Sequence, residues 1–187
     1  MPAALAGAVT VLLDSAAARK LPGAPLVDKA LEGVAKGAPA ERILVAVRTV
    51  FAQLDAAATV LGETGSASAD AVEAGAFALA AGLAASDIAE IARIADRAHP
   101  AATALQVAGT LTALGVPRAE TVALVRTTIR SGRPVGDLVS LPGQVQAAMA
   151  GGSPPAAAAA GLERAAAAHL APRPRGKGKG QGNPHKP

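Results

Sequence analysis

The sequence predicts an all-α fold of stacked antiparallel helical hairpins, either a short α-solenoid-like array or an irregular helical bundle. Three observations predict it. First, Pro22 and Pro39 stand 17 residues apart, as do Pro100 and Pro117, and again Pro117 and Pro134. Second, Gly37, Gly115 and Gly132 precede three of these prolines by two positions, and Gly152 precedes Pro154 in the same way. Glycine tolerates the left-handed conformation just past a helix end, and proline is tolerated in the first turn of the next helix. Third, roughly a quarter of the 187 residues are Ala, far above ordinary usage and the strongest helix former.

The first element is read over residues 3–19. Ala3 to Leu13 is an uncharged apolar run followed by Asp14, Ser15 and small residues, the layout of a secretory signal as well as of a helix. No Lys or Arg precedes it, and Leu5, Val9, Leu12 and Ala16 fall at amphipathic spacing, which favours a first helix. A second helix runs from the Leu21–Pro25 turn to about Lys36. The turn Gly37-Ala38-Pro39 opens the clearest helix. Its stripe of Ile43, Val47, Val50, Leu54 and Leu61 is widened by Leu44 and Phe51, while Glu41, Arg48 and Asp55 mark a wet face. Ile43→Asp is expected to collapse the fold by placing a charge on that inward stripe.

Residues 62–68 are the long polar connection of the body and its best candidate for an internal boundary within a single domain, 1–171. A helix from about Asp70 ends at Gly82. The next buries Ile88, Ile91, Ala92 and Ala95, turns Asp87, Glu90, Arg93, Asp96 and Arg97 largely outward, and ends near His99-Pro100. Helices over Ala101–Leu114 and from Pro117, with Val122, Val125 and Ile129 inward, follow. A shorter one opens at Pro134, where Pro142 and Gly143 should end or kink it. The last spans about 155–171. Six residues after each turn glycine stands a residue fit for burial: Ile43, Ile88 and Leu138 fit, Thr121 and Ala158 more weakly. Helices of about 13 residues are marginal alone and become stable only by laying their stripes on neighbours. Two such units match the roughly 34-residue tetratricopeptide hairpin in length, without that family's Trp, Gly and Tyr signature.

Composition narrows function by exclusion. Trp, Tyr and Cys are absent, and Phe51 and Phe77 are the sole aromatics. Stacking platforms for single-stranded nucleic acid, aromatic cages, disulfides and thiol nucleophiles therefore have no residues to build them. The uncharged run 98–117 contains His99, Pro100, Gln106, Gly109 and Gly115 and makes a poor membrane span. Nucleophile-elbow, phosphate-loop, zinc-protease and Ser-x-x-Lys motifs are lacking. His99, His169 and His185 are scattered. His169 suits a helix C-terminus and His99 a local bond with Asp96, so neither cofactor nor metal is expected. Asp28 with Glu32, and Glu90 with Asp96, are the nearest paired carboxylates, and solvated helix faces account for both. Glu32 and Lys36 form an ordinary i, i+4 pair.

Charge concentrates at one end. Of the 18 basic residues, Arg173, Arg175, Lys177, Lys179 and Lys186 lie in an acid-free stretch, leaving 13 basic against 14 acidic residues elsewhere. Residues 172–187 have no apolar periodicity and read as a disordered basic tail, which makes those five the candidate contacts to nucleic acid or another polyanion.

The run from Leu21 to Ile43, LPGAPLVDKALEGVAKGAPAERI, resembles uncharacterised all-helical proteins of GC-rich bacteria. Those proteins often follow an export signal and have no assigned activity. The resemblance implies a periplasmic or secreted location. The lack of a charged signal start leaves a cytoplasmic one open. The leading functional expectation is a non-enzymatic helical scaffold that binds protein. The alternatives are a polyanion-tethering protein acting through the tail, and an unrecognised enzyme.

Overall fold

A computed structural model describes residues 3–170, and these form nine helices without a strand. They are α1 (Ala3–Ala18), α2 (Ala24–Ala35), α3 (Ala40–Glu63), α4 (Ala69–Ala81), α5 (Ala85–Ile94), α6 (Ala101–Ala113), α7 (Arg118–Arg130), α8 (Val135–Ala150) and α9 (Pro155–Ala168). Short connections reverse the chain between them. The odd helices pack in sequence, α1 on α3, α3 on α5, α5 on α7 and α7 on α9. Among the even ones, α4 packs on α6 and α6 on α8. Each helix also touches its successor, so two rows lie face to face around one continuous core running from Leu5 to Ala159. That core crosses the 62–68 connection, because α3 packs on both α4 and α5. The tail and its five cations lie outside the described residues, as does His185.

The turn chemistry is the expected one with a shift of register. Gly115 has φ 88° and Gly132 φ 67°, left-handed values that close the ends of α6 and α7. The Val116 N–H reaches back to the Leu111 carbonyl at 3.1 Å, satisfying an end that would otherwise be orphaned. Pro39, Pro100, Pro117, Pro134 and Pro154 stand just before their helices, not in the first turn, with ψ between 141° and 151°. In that position proline loses nothing by lacking an N–H. Its carbonyl takes the first helical bond, as Pro117 does from Thr121 at 2.9 Å.

The stripe of α3 buries Ile43, Val47, Leu54, Ala57 and Leu61, with Val50, Leu44 and Phe51 half-buried beside them. By length and hydropathy α3 is the one described helix that could cross a membrane, and its apolar stripe is laid against α1, α2, α4 and α5. Ile43 is buried against α2 at a close approach. A Cβ on Gly33 would lie 2.6 Å from its Cγ1. Thr121 and Ala158, the weaker inward positions, are buried as well.

Four expectations are corrected. Helix α5 stops at Ile94, five residues before His99, and Ala95 turns extended (φ −63°, ψ 147°) instead of pointing inward from a helix. The cause is a side-chain turn. Asp96 Oδ1 accepts the His99 backbone N–H at 2.7 Å, and the Asp96 N–H donates to the His99 carbonyl at 3.1 Å. Helix α8 runs through Pro142, so of the two expectations there, an end or a kink, the end is overturned. Leu138, Leu141 and Val145, flanking the proline on both sides, are buried in the shared core. Asp55, Asp87 and Glu90 are not merely solvated. Asp55 pairs with Arg19 at 2.7 Å, Asp87 with Arg118 at 2.9 Å and Glu90 with Arg126 at 2.7 Å, and each pair joins consecutive members of the odd row. Finally, α9 ends at Ala168, and His169 caps it in an exposed position.

Candidate functional site

Helix α4 is enclosed on most of its circumference by α3 and α6, and burial there calls for small side chains. Ala71, Val72, Ala74, Gly75, Ala76 and Ala78 are all buried. A Cβ on Gly75 would come within 3.1 Å of Ala57, and one on Gly109 of α6 within 3.2 Å of the Ala78 Cα. Such close approach is what an alanine- and glycine-rich sequence permits. Ser68 caps the helix by accepting the Ala71 N–H at 3.2 Å. Beyond Ala69 at its first position, what stays exposed is one stripe at helical spacing: Asp70, Glu73, Phe77 and Ala80.

Depressions open on either side of that stripe. Helices α2 and α4 both lie on α3 without packing on each other. The gap between them is a groove of about 480 Å³ with Val50, Leu54 and Ala76 on its floor, Phe77 on its wall, and Asp28, Lys29, Glu32 and Glu73 on its rim. On the opposite side a second depression of about 410 Å³ runs between α4, α6 and α8, touching Asp70 and, like the first, Glu73, and ending at Val139, which is 55% exposed. A third, at the α4 N-terminus, joins Asp70 to Asp96. All are open troughs, not enclosed pockets.

Phe77 is the pivot of this surface. Its ring sits so close over α6 that a Cβ on Gly109 would lie 2.6 Å from Cδ1, yet 38% of the residue remains exposed to the groove. Electrostatically the surface is acidic. Among the described residues no basic side chain pairs with Asp28, Asp70 or Glu73. Glu32, held by Lys36 and Lys29, has its carboxyl lowered to about 2, because those two ammonium groups bond the ionised form.

The residues weighed for catalysis do not come together. Asp28 and Glu32 reach the same rim, whereas Glu90 faces Arg126 and Asp96 is bound to His99. His99 is 2% exposed. Its Nε2 donates to the Arg133 carbonyl at 2.7 Å, and its Nδ1 faces Asp96 at 3.3 Å. It ties the α5–α6 loop to the α7–α8 turn, a structural task. No group of three or more potential metal ligands occurs among the described residues. The groove was not visible in the sequence. The 70, 73, 77, 80 stripe carried the signal, but nothing said that α2 would stop short of α4. The chain matches no protein-family model, no curated protein and no solved structure.

Proposed function

We propose that this chain is a non-enzymatic helical scaffold that binds an extended protein segment along the surface of α4. The observation that carries the reading is the unclosed gap between α2 and α4, with an apolar floor and a charged rim on which Asp28, Glu32 and Glu73 outnumber Lys29. Elsewhere in the even row the same kind of gap is closed by helix packing. Sites for extended ligands combine an apolar anchor point with charged groups that fix orientation. Phe77 supplies the first, and Asp28 and Glu73 supply the second.

The test is native mass measurement of the endogenous chain, together with recovery of its partners by the unaltered protein, Phe77→Ala and Glu73→Lys. A retained partner that both variants lose supports the reading. Only bare monomer across conditions, or recovery unaffected by either variant, ends it.

A second reading rests on the five cations between Arg173 and Lys186, which suit phosphates or another anionic polymer. Retention on DNA as salt rises, with and without residues 172–187, decides it. Equal retention removes the tail from consideration.

A further inference from the structure

We propose that the groove between α2 and α4 recognises an arginine of the bound protein segment, with its stem along Phe77 and its guanidinium on Glu73 and Asp28. This rests on the groove reading above and names the chemistry of the partner.

Charge is the first argument. Lys29 is the one cation lining the groove among the described residues, and it is already engaged. Its Nζ donates to Glu32 at 2.9 Å, and Lys36 pairs with the other oxygen of the same carboxylate. Asp28 on the α2 wall and Glu73 on the α4 wall have no ion-pair partner among the described residues. The groove therefore keeps two uncompensated negative charges, one on each side of its apolar floor.

The second argument is how this chain already holds one of its own arginines. The Arg19 guanidinium lies 5.4 Å from the centroid of the Phe51 ring and pairs with Asp55 at 2.7 Å. Phe51 and Asp55 stand four residues apart on α3, so ring and carboxylate face the cation together. Glu73 and Phe77 are the same two groups, again four residues apart, on α4. No cation lies over Phe77 among the described residues. Its ring is wedged in place, since a Cβ on Gly109 would fall 2.6 Å from Cδ1 and 2.7 Å from Cε1, yet 38% of the residue is exposed. Arginine suits such a pair better than lysine, because its planar guanidinium both stacks on a ring and forks onto carboxylate oxygens.

Size is the third. From Glu73 to Ala80 the α4 wall rises about 10 Å. About three extended residues at roughly 3.3 Å each span that length. Side chains two positions apart project to the same side of an extended chain, so an apolar residue next but one to the arginine meets Val50 and Leu54.

The probe is the peptide N-acetyl-Gly-Leu-Ala-Arg-Ala-Leu-Gly amide, titrated into the full chain while the backbone amides of Glu73, Ala76, Phe77 and Ala80 are followed by NMR. Saturable shifts are expected at these positions. The same peptide with citrulline, which keeps the shape but not the charge, should bind about tenfold more weakly. Phe77→Leu, which keeps apolar bulk without a ring, and Glu73→Gln, at an exposed position, should each narrow that gap. Absent shifts, equal affinity for the two peptides, or a gap unchanged in both variants overturns the proposal. N-acetylarginine amide binding as tightly as the peptide also overturns it, by making the occupant a small cation and not a protein segment.

The two readings fail separately. Should the arginine peptide not bind while Phe77→Ala and Glu73→Lys still lose the endogenous partner, the scaffold stands and only the arginine is wrong. Should the peptide bind as expected while partner recovery ignores the groove variants, the scaffold reading falls instead.

Discussion

At the scale of single residues, side chains that look expendable in the sequence set the geometry of this molecule. Asp96 is exposed, as its outward placement predicts, and it is also the residue that stops α5. Its carboxyl is lowered from the ordinary 3.8, chiefly because the His99 backbone N–H bonds its ionised form. A carboxylate with a depressed folded-state value adds stability that is fully present above its unfolded value and lost as pH falls through the folded one. Thermal unfolding of Asp96→Asn, which keeps an oxygen acceptor but not the charge, should therefore lie below that of the unaltered chain at neutral pH. The gap should narrow as pH drops below 3.8, and a constant gap would separate the effect from ionisation. Gly109 matters for the opposite reason, since it contributes no atoms at all. Gly109→Ala would drive a methyl group into Phe77 and against the Ala78 backbone, costing about 1–3 kcal/mol in urea unfolding. It should also swing the ring toward the groove, which amide shifts on α2 would register. That His99 would reach across to the Arg133 carbonyl had no local signal, because a contact 34 residues away is set by tertiary packing alone.

Elements were more legible than residues, and the reason is periodicity. Every helix start after a Gly-x-Pro turn was visible, since the left-handed requirement and the missing proline N–H are local facts. Stripes such as Ile43, Val47 and Leu54 were legible because burial repeats with the helical turn. Failures arose where tertiary contact overrode local preference. Pro142 occupies the eighth position of α8, where it removes the bond that the Leu138 carbonyl would accept. Core packing on both sides outweighs that loss and keeps the helix intact. Pro142→Ala should thus raise stability by about 1–3 kcal/mol in chemical denaturation, with helix content almost unchanged. A fall in stability would mean that a bend at this position is required for α8 to seat on α6 and α9.

For the molecule as a whole, the question is whether two rows of short helices behave as one body or as a string of weakly joined units. In an extended array, each unit contacts only its neighbours, and distant parts melt at their own temperatures. Here the polar connection at 62–68 is bridged by α3, whose 24 residues reach past it to pack on α4 and α5. Leu54 and Leu61 of that helix are fully buried in the same cluster that holds Val125 and Leu138. Removing leucine mass from that bridge should be felt throughout. Leu54→Ala is expected to cost about 2–5 kcal/mol. In calorimetry it should lower a single transition that also reports Val125→Ala, about 70 residues away in the chain. Two transitions, one moved by each variant, would show that residues 62–68 separate two folding units. Deleting residues 172–187 should leave the far-ultraviolet circular dichroism of that single transition unchanged, because the buried cluster from Leu5 to Ala159 is kept whole.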